Sequence, residues 1–376
     1  MDQAVRQAGS TGVQKRVAWL DAAKFIGIFL VILGHIDVKT YGFFSLNDFI
    51  GVFHMPLFFF LSGLTQKNLS FKESLKDAAR KLLVPYAVFY FLNWLWWLPV
   101  SCLRHPEIYS SVFYDGVVRS FLGFLLTNNC TTKFSVMADW PLWFCAGLFW
   151  CKVLYSLVKN KTRSPEKVNI VLSALLLFLA FVLHYFDIPK VVTVSIGKYT
   201  FDYTEILIPF SLQPLTSRYV YFFAGTLLKE RLFTNKNKSP KTWSALLAAL
   251  FLVFTGVMDF FISQPETHDI YLSLLAATCG IAFVYELSRL LSPLPRFLTF
   301  LGRNTITILA FHTITNGLPS VFMKYILHYD LAITKEHPAG IGLALLVAVV
   351  SLLLCAVPAF VFERWFPFVL GRRKRA

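Results

Sequence analysis

Ten apolar runs, each close to twenty residues, punctuate the chain, and they limit its fold more than any other feature. They lie near 17–37, 49–66, 82–101, 139–158, 168–186, 204–228, 243–262, 270–290, 298–320 and 340–363. About 20 consecutive apolar residues suffice to carry a helix across the hydrocarbon core of a bilayer. A soluble fold is excluded by the residues between the runs. Of 376 residues, 56% are hydrophobic and 15% charged, too few charges to cover that apolar surface. Disorder fails on the same numbers. A transmembrane barrel would alternate apolar and polar residues over short strands, which these runs do not. The expected fold is all-α: a polytopic membrane protein of about ten transmembrane helices with both termini cytoplasmic.

Charge supports that orientation. With both ends inside, 24 of the 36 Lys and Arg fall on inner segments: the N-terminal stretch, 67–81, 159–167, 229–241, 289–296 and 364–375. Nine fall outside, and Lys24, Lys152 and Arg303 lie in or at the edges of spans. Such an excess on one side of short loops is the positive-inside pattern, so the net charge of +15 needs no nucleic-acid partner. The N-terminal stretch has no short apolar core followed by a small-residue cleavage site, and reads as a retained tail. The expected domains are a tail over 1–16, one transmembrane domain over 17–363 and a basic tail over 364–376.

Pro56 interrupts the second run, and Pro209 and Pro214 break the sixth. Irregular backbone at membrane depth is tolerated only against protein or a polar cavity, so these helices belong near a site. Trp94, Trp96 and Trp97 read as an interfacial aromatic belt. In the long outer segment 102–138, the stretch VVRSFLGFLL is too short to span, Cys102 and Cys130 are a candidate disulfide, and Asn129-Cys130-Thr131 fits a glycosylation sequon. The six cysteines show no metal-ligand spacing, and no metal is expected.

Ionisable residues inside a membrane are costly and mark function by default. Lys24 and His35 are eleven residues apart in the first span, which places them about 16 Å apart along the axis and within about 20° of one face. His54 in the second span and His312 in the ninth reach a similar depth in the outer half. An imidazole titrates near neutrality, so three histidines at one level suit proton transfer. Asp259 lies near the outer end of the seventh span. Membrane histidines and broken helices also suit a secondary transporter or flippase for a glycan-related or lipid substrate, although no internal repeat is evident.

The first span reads WLDAAKFIGIFLVILGH, the second FHMPLFFFLSGL, and the ninth begins LGRNT and reaches a histidine. Together these segments resemble the acyltransferase 3 family of integral-membrane acyltransferases, and within it bacterial sugar O-acetyltransferases, including fucose O-acetylase-like proteins. The family pattern of a basic residue, ten residues and a histidine falls on Lys24 and His35. Many members have Arg-Gly where this chain has Lys24-Phe25, so the charge is kept but the planar fork is lost. The span-two pattern falls on Phe53 through Gly63, and a shorter element on Gly302-Arg303-Asn304-Thr305.

The resemblance implies acyl transfer, usually of acetyl, from acyl-CoA to a hydroxyl of a glycan or lipid-linked sugar, in a bacterial cytoplasmic membrane. On that reading His35 is the general base and His54 a second catalytic group. Lys24 and Arg303 suit the phosphates of the donor, acetyl-CoA or another acyl-CoA. His312 and Asp259 are possible substrate contacts. The partners are then the acyl-CoA, the sugar acceptor and membrane lipids.

Overall fold

A computed structural model describes residues 17–36, 46–104, 141–185, 191–196, 199–204, 213–234, 240–262, 270–328 and 339–372. In chain order these form α1 (Ala18–Gly34), α2 (Leu46–Leu64), α3 (Phe71–Ala78), α4 (Val84–Arg104), α5 (Trp143–Lys161) and α6 (Pro165–Tyr185). The strands β1 (Val191–Ile196) and β2 (Tyr199–Thr204) follow. Then come α7 (Gln213–Thr234), α8 (Lys241–Ile262), α9 (Ile270–Leu291), α10 (Arg296–Arg303), α11 (Thr305–Tyr325) and α12 (Ala339–Arg364).

Six helices among the described residues are long and apolar enough to cross a membrane, within α2, α6, α8, α9, α11 and α12. The protein is therefore a multi-spanning, helical membrane protein. Helices α1, α4, α5 and α7 occupy the remaining four apolar runs. Leu175 and Phe178 on α6, Leu246 and Val253 on α8, and Leu346 and Val357 on α12 are all well exposed. An apolar belt of that kind is compatible with lipid and not with water.

Helix α1 is the hub, packing against α2, α9, α10, α11 and α12. Its small and branched residues Ala22, Ala23, Val31 and Ile32 are fully buried, which lets five neighbours approach one helix. The tightest crossing joins α2 to α7. A Cβ on Gly63 would sit 2.0 Å from the Phe222 carbonyl oxygen, and one on Gly225 2.2 Å from that of Phe60. Backbone-to-backbone contact through small residues is how membrane helices gain packing without a hydrophobic driving force.

Near the start of α3, Ser70 and Glu73 form a capping box. The hydroxyl and amide of Ser70 both bind the Glu73 carboxylate and hold it below its ordinary pKa. A π turn, Ala79–Leu83, then leads directly into α4.

Before the sixth run the structure adds a hairpin that the sequence reading did not anticipate. The described helix of the sixth run is Gln213–Thr234, and β1 and β2 pair antiparallel from Val191↔Thr204 to Ile196↔Tyr199. Val, Thr, Tyr and Phe dominate both strands, residues that fit a pleated surface. The Cys102–Cys130 pairing, the Asn129 sequon and the 117–126 stretch lie outside the described residues. Cys145, Cys151, Cys279 and Cys355 are free thiols.

Candidate functional site: a histidine centre above an apolar crevice

His35 caps the end of α1. Carbonyls in the last turn of a helix have no following amide to serve them. Here the His35 amide turns to Ile32 O (3.2 Å), and its imidazole Nδ1 donates to Val31 O at 2.7 Å. His54, in the middle of α2, donates Nδ1–H to Ile50 O at 2.8 Å, and His312 on α11 donates Nδ1–H to Leu309 O at 2.8 Å. A carbonyl oxygen only accepts, so each neutral ring carries its proton on Nδ1 and its lone pair on Nε2.

The three rings converge. His35 is central, edge to face with His312 at a centroid distance of 4.8 Å and with His54 at 6.1 Å. His312 is fully buried, and its Nε2 has no hydrogen-bond partner among the described residues. Two amides bind the helices together around this centre. Asn316 Nδ2 on α11 donates to Ile32 O on α1 (3.1 Å), and Asn93 Nδ2 on α4 donates to Ala310 O (2.8 Å). On the far side of His312, Thr315 bonds Ser351 (2.6 Å) and Cys355 (3.1 Å) of α12.

A narrow apolar crevice lies next to the centre, lined by Ile28, Met55, Phe58, Phe144, Thr305, Ile306 and Leu309. Its walls continue the helical faces that carry the histidines. Ile28 is seven residues before His35, Phe58 four after His54, and Thr305 seven before His312, and such spacings return to one side of a helix. Ile28 is also one turn beyond Lys24, so the crevice lies along the path between the histidines and the basic end of the bundle.

Lys24 is half-buried there on α1. Gly302 brings α10 against the same turn, since a Cβ on it would meet Asp21 O at 2.5 Å and Phe25 N at 3.1 Å. Arg303 follows immediately, but its guanidinium is not wholly available. Nη2 lies 3.5 Å from Glu363 at the end of α12. Glu363 also accepts from Asn304 Nδ2 (2.5 Å) and pairs with Arg372 (3.3 Å). Arg372 in turn donates to Asn304 Oδ1 (3.0 Å) and to Arg303 O (2.8 Å). Asn304 thus both starts α11 and ties it to α12.

Of the residues expected from sequence, the structure brings His35, His54 and His312 together, and Lys24 and Arg303 precede the crevice residues Ile28 and Thr305 by about a turn or less. Asp259 belongs to α8, but its side chain lies outside the described residues. Glu363, Arg372, Asn93 and Asn316 were not anticipated. Glu363 carried a usable signal, because it is the one carboxylate in the otherwise apolar sequence of α12. The two asparagines carried none, since amides occur throughout such helices. Among the described residues no group of His, Cys, Asp and Glu is arranged to hold a metal ion.

Fold and site together define a polytopic membrane protein with three converging histidines beside an apolar crevice. The chain belongs to the acyltransferase 3 family, whose model, described as an acyltransferase domain, matches residues 17–360. No curated protein and no solved structure matches it.

Proposed function

We propose that this membrane acyltransferase moves an acyl group, acetyl in the simplest case, from acyl-CoA to a hydroxyl of a glycan or lipid-linked sugar, with His35 as general base. The observation that carries the reading is the fixed tautomer of His35, at the centre of three histidines beside an apolar crevice. With its proton committed to Val31 O, His35 offers the Nε2 lone pair to an acceptor hydroxyl. The alkoxide oxygen attacks the thioester carbonyl as the proton moves to Nε2. The tetrahedral intermediate collapses with cleavage of the C–S bond, and the imidazolium returns the proton to the departing thiolate. His35 ends neutral, and the products are the ester and free coenzyme A.

His54 in its Nδ1–H form accepts rather than donates at Nε2, so it suits orientation of the acceptor hydroxyl better than stabilisation of an oxyanion. His312 Nε2, buried and without a partner among the described residues, suits a second acceptor hydroxyl. The apolar crevice suits the acyl group and the pantetheine arm. Lys24 and Arg303 suit donor phosphates at the basic end. The distribution of Lys and Arg favours a cytoplasmic position for that end, where coenzyme A resides, in a bacterial cytoplasmic membrane. The direct route needs no acyl-enzyme.

The test is thiol release from acetyl-CoA by purified protein in lipid nanodiscs, with and without a glycan and lipid-linked sugar extract. Acceptor-dependent thiol that disappears in His35→Ala supports the proposal, and mass spectrometry of the product names the acceptor. Undiminished turnover in a folded His35→Ala protein would remove the general-base assignment. Movement of the extract's sugars across the bilayer without chemical change would replace acyl transfer with transport.

A further inference from the structure

Two lysines that the mechanism does not use meet at Gln66, in the turn that follows α2. Gln66 is buried, its amide bonded to Gly63 O at 3.0 Å. Its side-chain Oε1 accepts from Lys152 Nζ of α5 at 2.7 Å, and its backbone oxygen accepts from Lys229 Nζ of α7 at 2.6 Å. Lys152 Nζ also lies 5.6 Å from the centre of the Phe222 ring. Neither ammonium has a carboxylate within ion-pair distance among the described residues. Each ammonium carries three donor hydrogens, and the neutral oxygen each one meets uses one of them. Both lysines are partly buried; a cation even partly drawn out of water against neutral partners is poorly compensated, and an ionisable residue inside a membrane protein calls for a functional partner.

The surroundings set the sign and size of that partner. Lys67 and Lys81 add positive charge around Lys152, and Lys159 adds it around Lys229. Asp77 and Glu230 are the acids acting on the two lysines, and Asp77 is bound to Lys81 at 2.6 Å. Five lysines against two carboxylates leave an excess that a single carboxylate ligand would not neutralise. A phosphate or diphosphate would, and lysine binds such groups as a point charge.

We propose that Lys152, Lys229 and Gln66 form a phosphate-binding site for the nucleotide end of the acyl-CoA donor. The assignment rests on the acyl-CoA reading above. Its geometric support is the ladder along α2. His54 lies ten residues before Leu64, about 15 Å along the axis, and Gln66 follows two residues later. Phe58 lies between them and touches Phe144 across the crevice with ring centres 5.9 Å apart. Lys152 is eight residues beyond Phe144 on α5, about 12 Å further towards the basic end. That separation is comparable to an extended phosphopantetheine arm, with the thioester at the histidines and the phosphates at the lysines. Arg303 already shares its charge with Glu363, whereas Lys152 and Lys229 share theirs with no acid in ion-pair contact.

The experiment compares intact protein, Lys152→Gln and Gln66→Glu in nanodiscs. Gln66→Glu supplies the missing carboxylate, so it occupies Lys152 without depriving the fold of a partner. Three readouts are taken: acetyl-CoA kinetics, binding of adenosine 3′,5′-bisphosphate, and retention of phosphatidylglycerol by native mass spectrometry. The expected result is a KM for acetyl-CoA raised about tenfold in both variants, the loss of roughly one charge-assisted contact, with kcat within about twofold. Bisphosphate binding weakens in parallel, while the thermal midpoint of Gln66→Glu does not fall. Loss of retained phosphatidylglycerol with unchanged donor KM keeps the phosphate site but makes a lipid headgroup its source. Unchanged KM, nucleotide binding and lipid retention in folded variants overturn the proposal. If intact protein shows no acetyl-CoA turnover, the acyl-transfer reading fails, and the two binding readouts still decide whether the lysines hold phosphate.

Discussion

The two ends of the crevice are built on opposite plans. At the histidine centre each imidazole is fixed by a carbonyl of its own helix, three or four residues back. At the basic end Arg303, Asn304, Glu363 and Arg372 bind one another across the start of α11, the end of α12 and the segment beyond it. The first plan sets each ring's tautomer from within its own helix. The second joins helices and uses up charge in doing so. Replacements at the histidines are therefore expected to alter chemistry more than stability, and replacements at the basic end the reverse.

The largest effect is expected from His35→Ala. Removal of a positioned general base typically costs 10²–10⁴-fold in rate. Because the ring bonds Val31 O of its own helix, and the His35 amide bond to Ile32 O remains, the thermal midpoint in nanodiscs should shift by no more than about 2 °C. A folded variant that lost several degrees and kept its turnover would reverse the comparison.

Glu363→Ala is its counterpart. Glu363 faces two guanidiniums and an amide, and its side chain is 24% exposed. Its loss strands Arg303 and Arg372 beside each other. The expected cost is about 1–3 kcal/mol, read as a thermal midpoint lowered by several degrees, with turnover at saturating donor reduced less than about threefold. A large fall in kcat without loss of stability would place Glu363 in the chemistry and erase the distinction between the two ends.

The same contrast decides what was legible in the sequence. The helical layout was legible because hydrocarbon thickness imposes its length directly on each run. Five of the six membrane-length helices lie almost entirely within expected spans, and the sixth, α11, overlaps one that also took in α10. The three histidines could be placed at one level from spacing alone, since depth follows from residue count. Their approach to 4.8 and 6.1 Å could not, because azimuth is set by packing around α1. The β1–β2 hairpin escaped notice because its segment abuts an apolar run, so its alternation was absorbed into loop and span. Lys152 and Gln66 lie 86 positions apart, and nothing local in the sequence pairs them.

A smaller effect tests the cross-helix link nearest the histidines. Asn316 on α11 holds Ile32 O on α1, three residues before His35. Hydrogen bonds between membrane helices average about 0.6 kcal/mol, so Asn316→Ala should lower the thermal midpoint only slightly. If that link positions His35, kcat should fall by a factor of about 2–5 while the donor KM holds, the signature of a group acting through the base. An unchanged kcat would show that the bond to Val31 O fixes the ring by itself.

Arg372→Gln is expected to do least. Among the described residues Arg372 meets Glu363, Asn304 and the Arg303 carbonyl, so a count of bonds would rank it above Asn316. Exposure argues otherwise. Its side chain is 36% exposed, so water and salt compete for the guanidinium and the ion pair is heavily screened. Glu363 keeps Arg303 and Asn304 when Arg372 is gone. Glutamine retains an amide that reaches the same backbone region, and the turn through Gly371, at φ +65°, is untouched. The expected loss is about 0.5 kcal/mol, visible at low ionic strength and vanishing when salt is raised. A salt-insensitive loss as large as that of Glu363→Ala would mean that the segment after α12, rather than Glu363, holds the basic end closed.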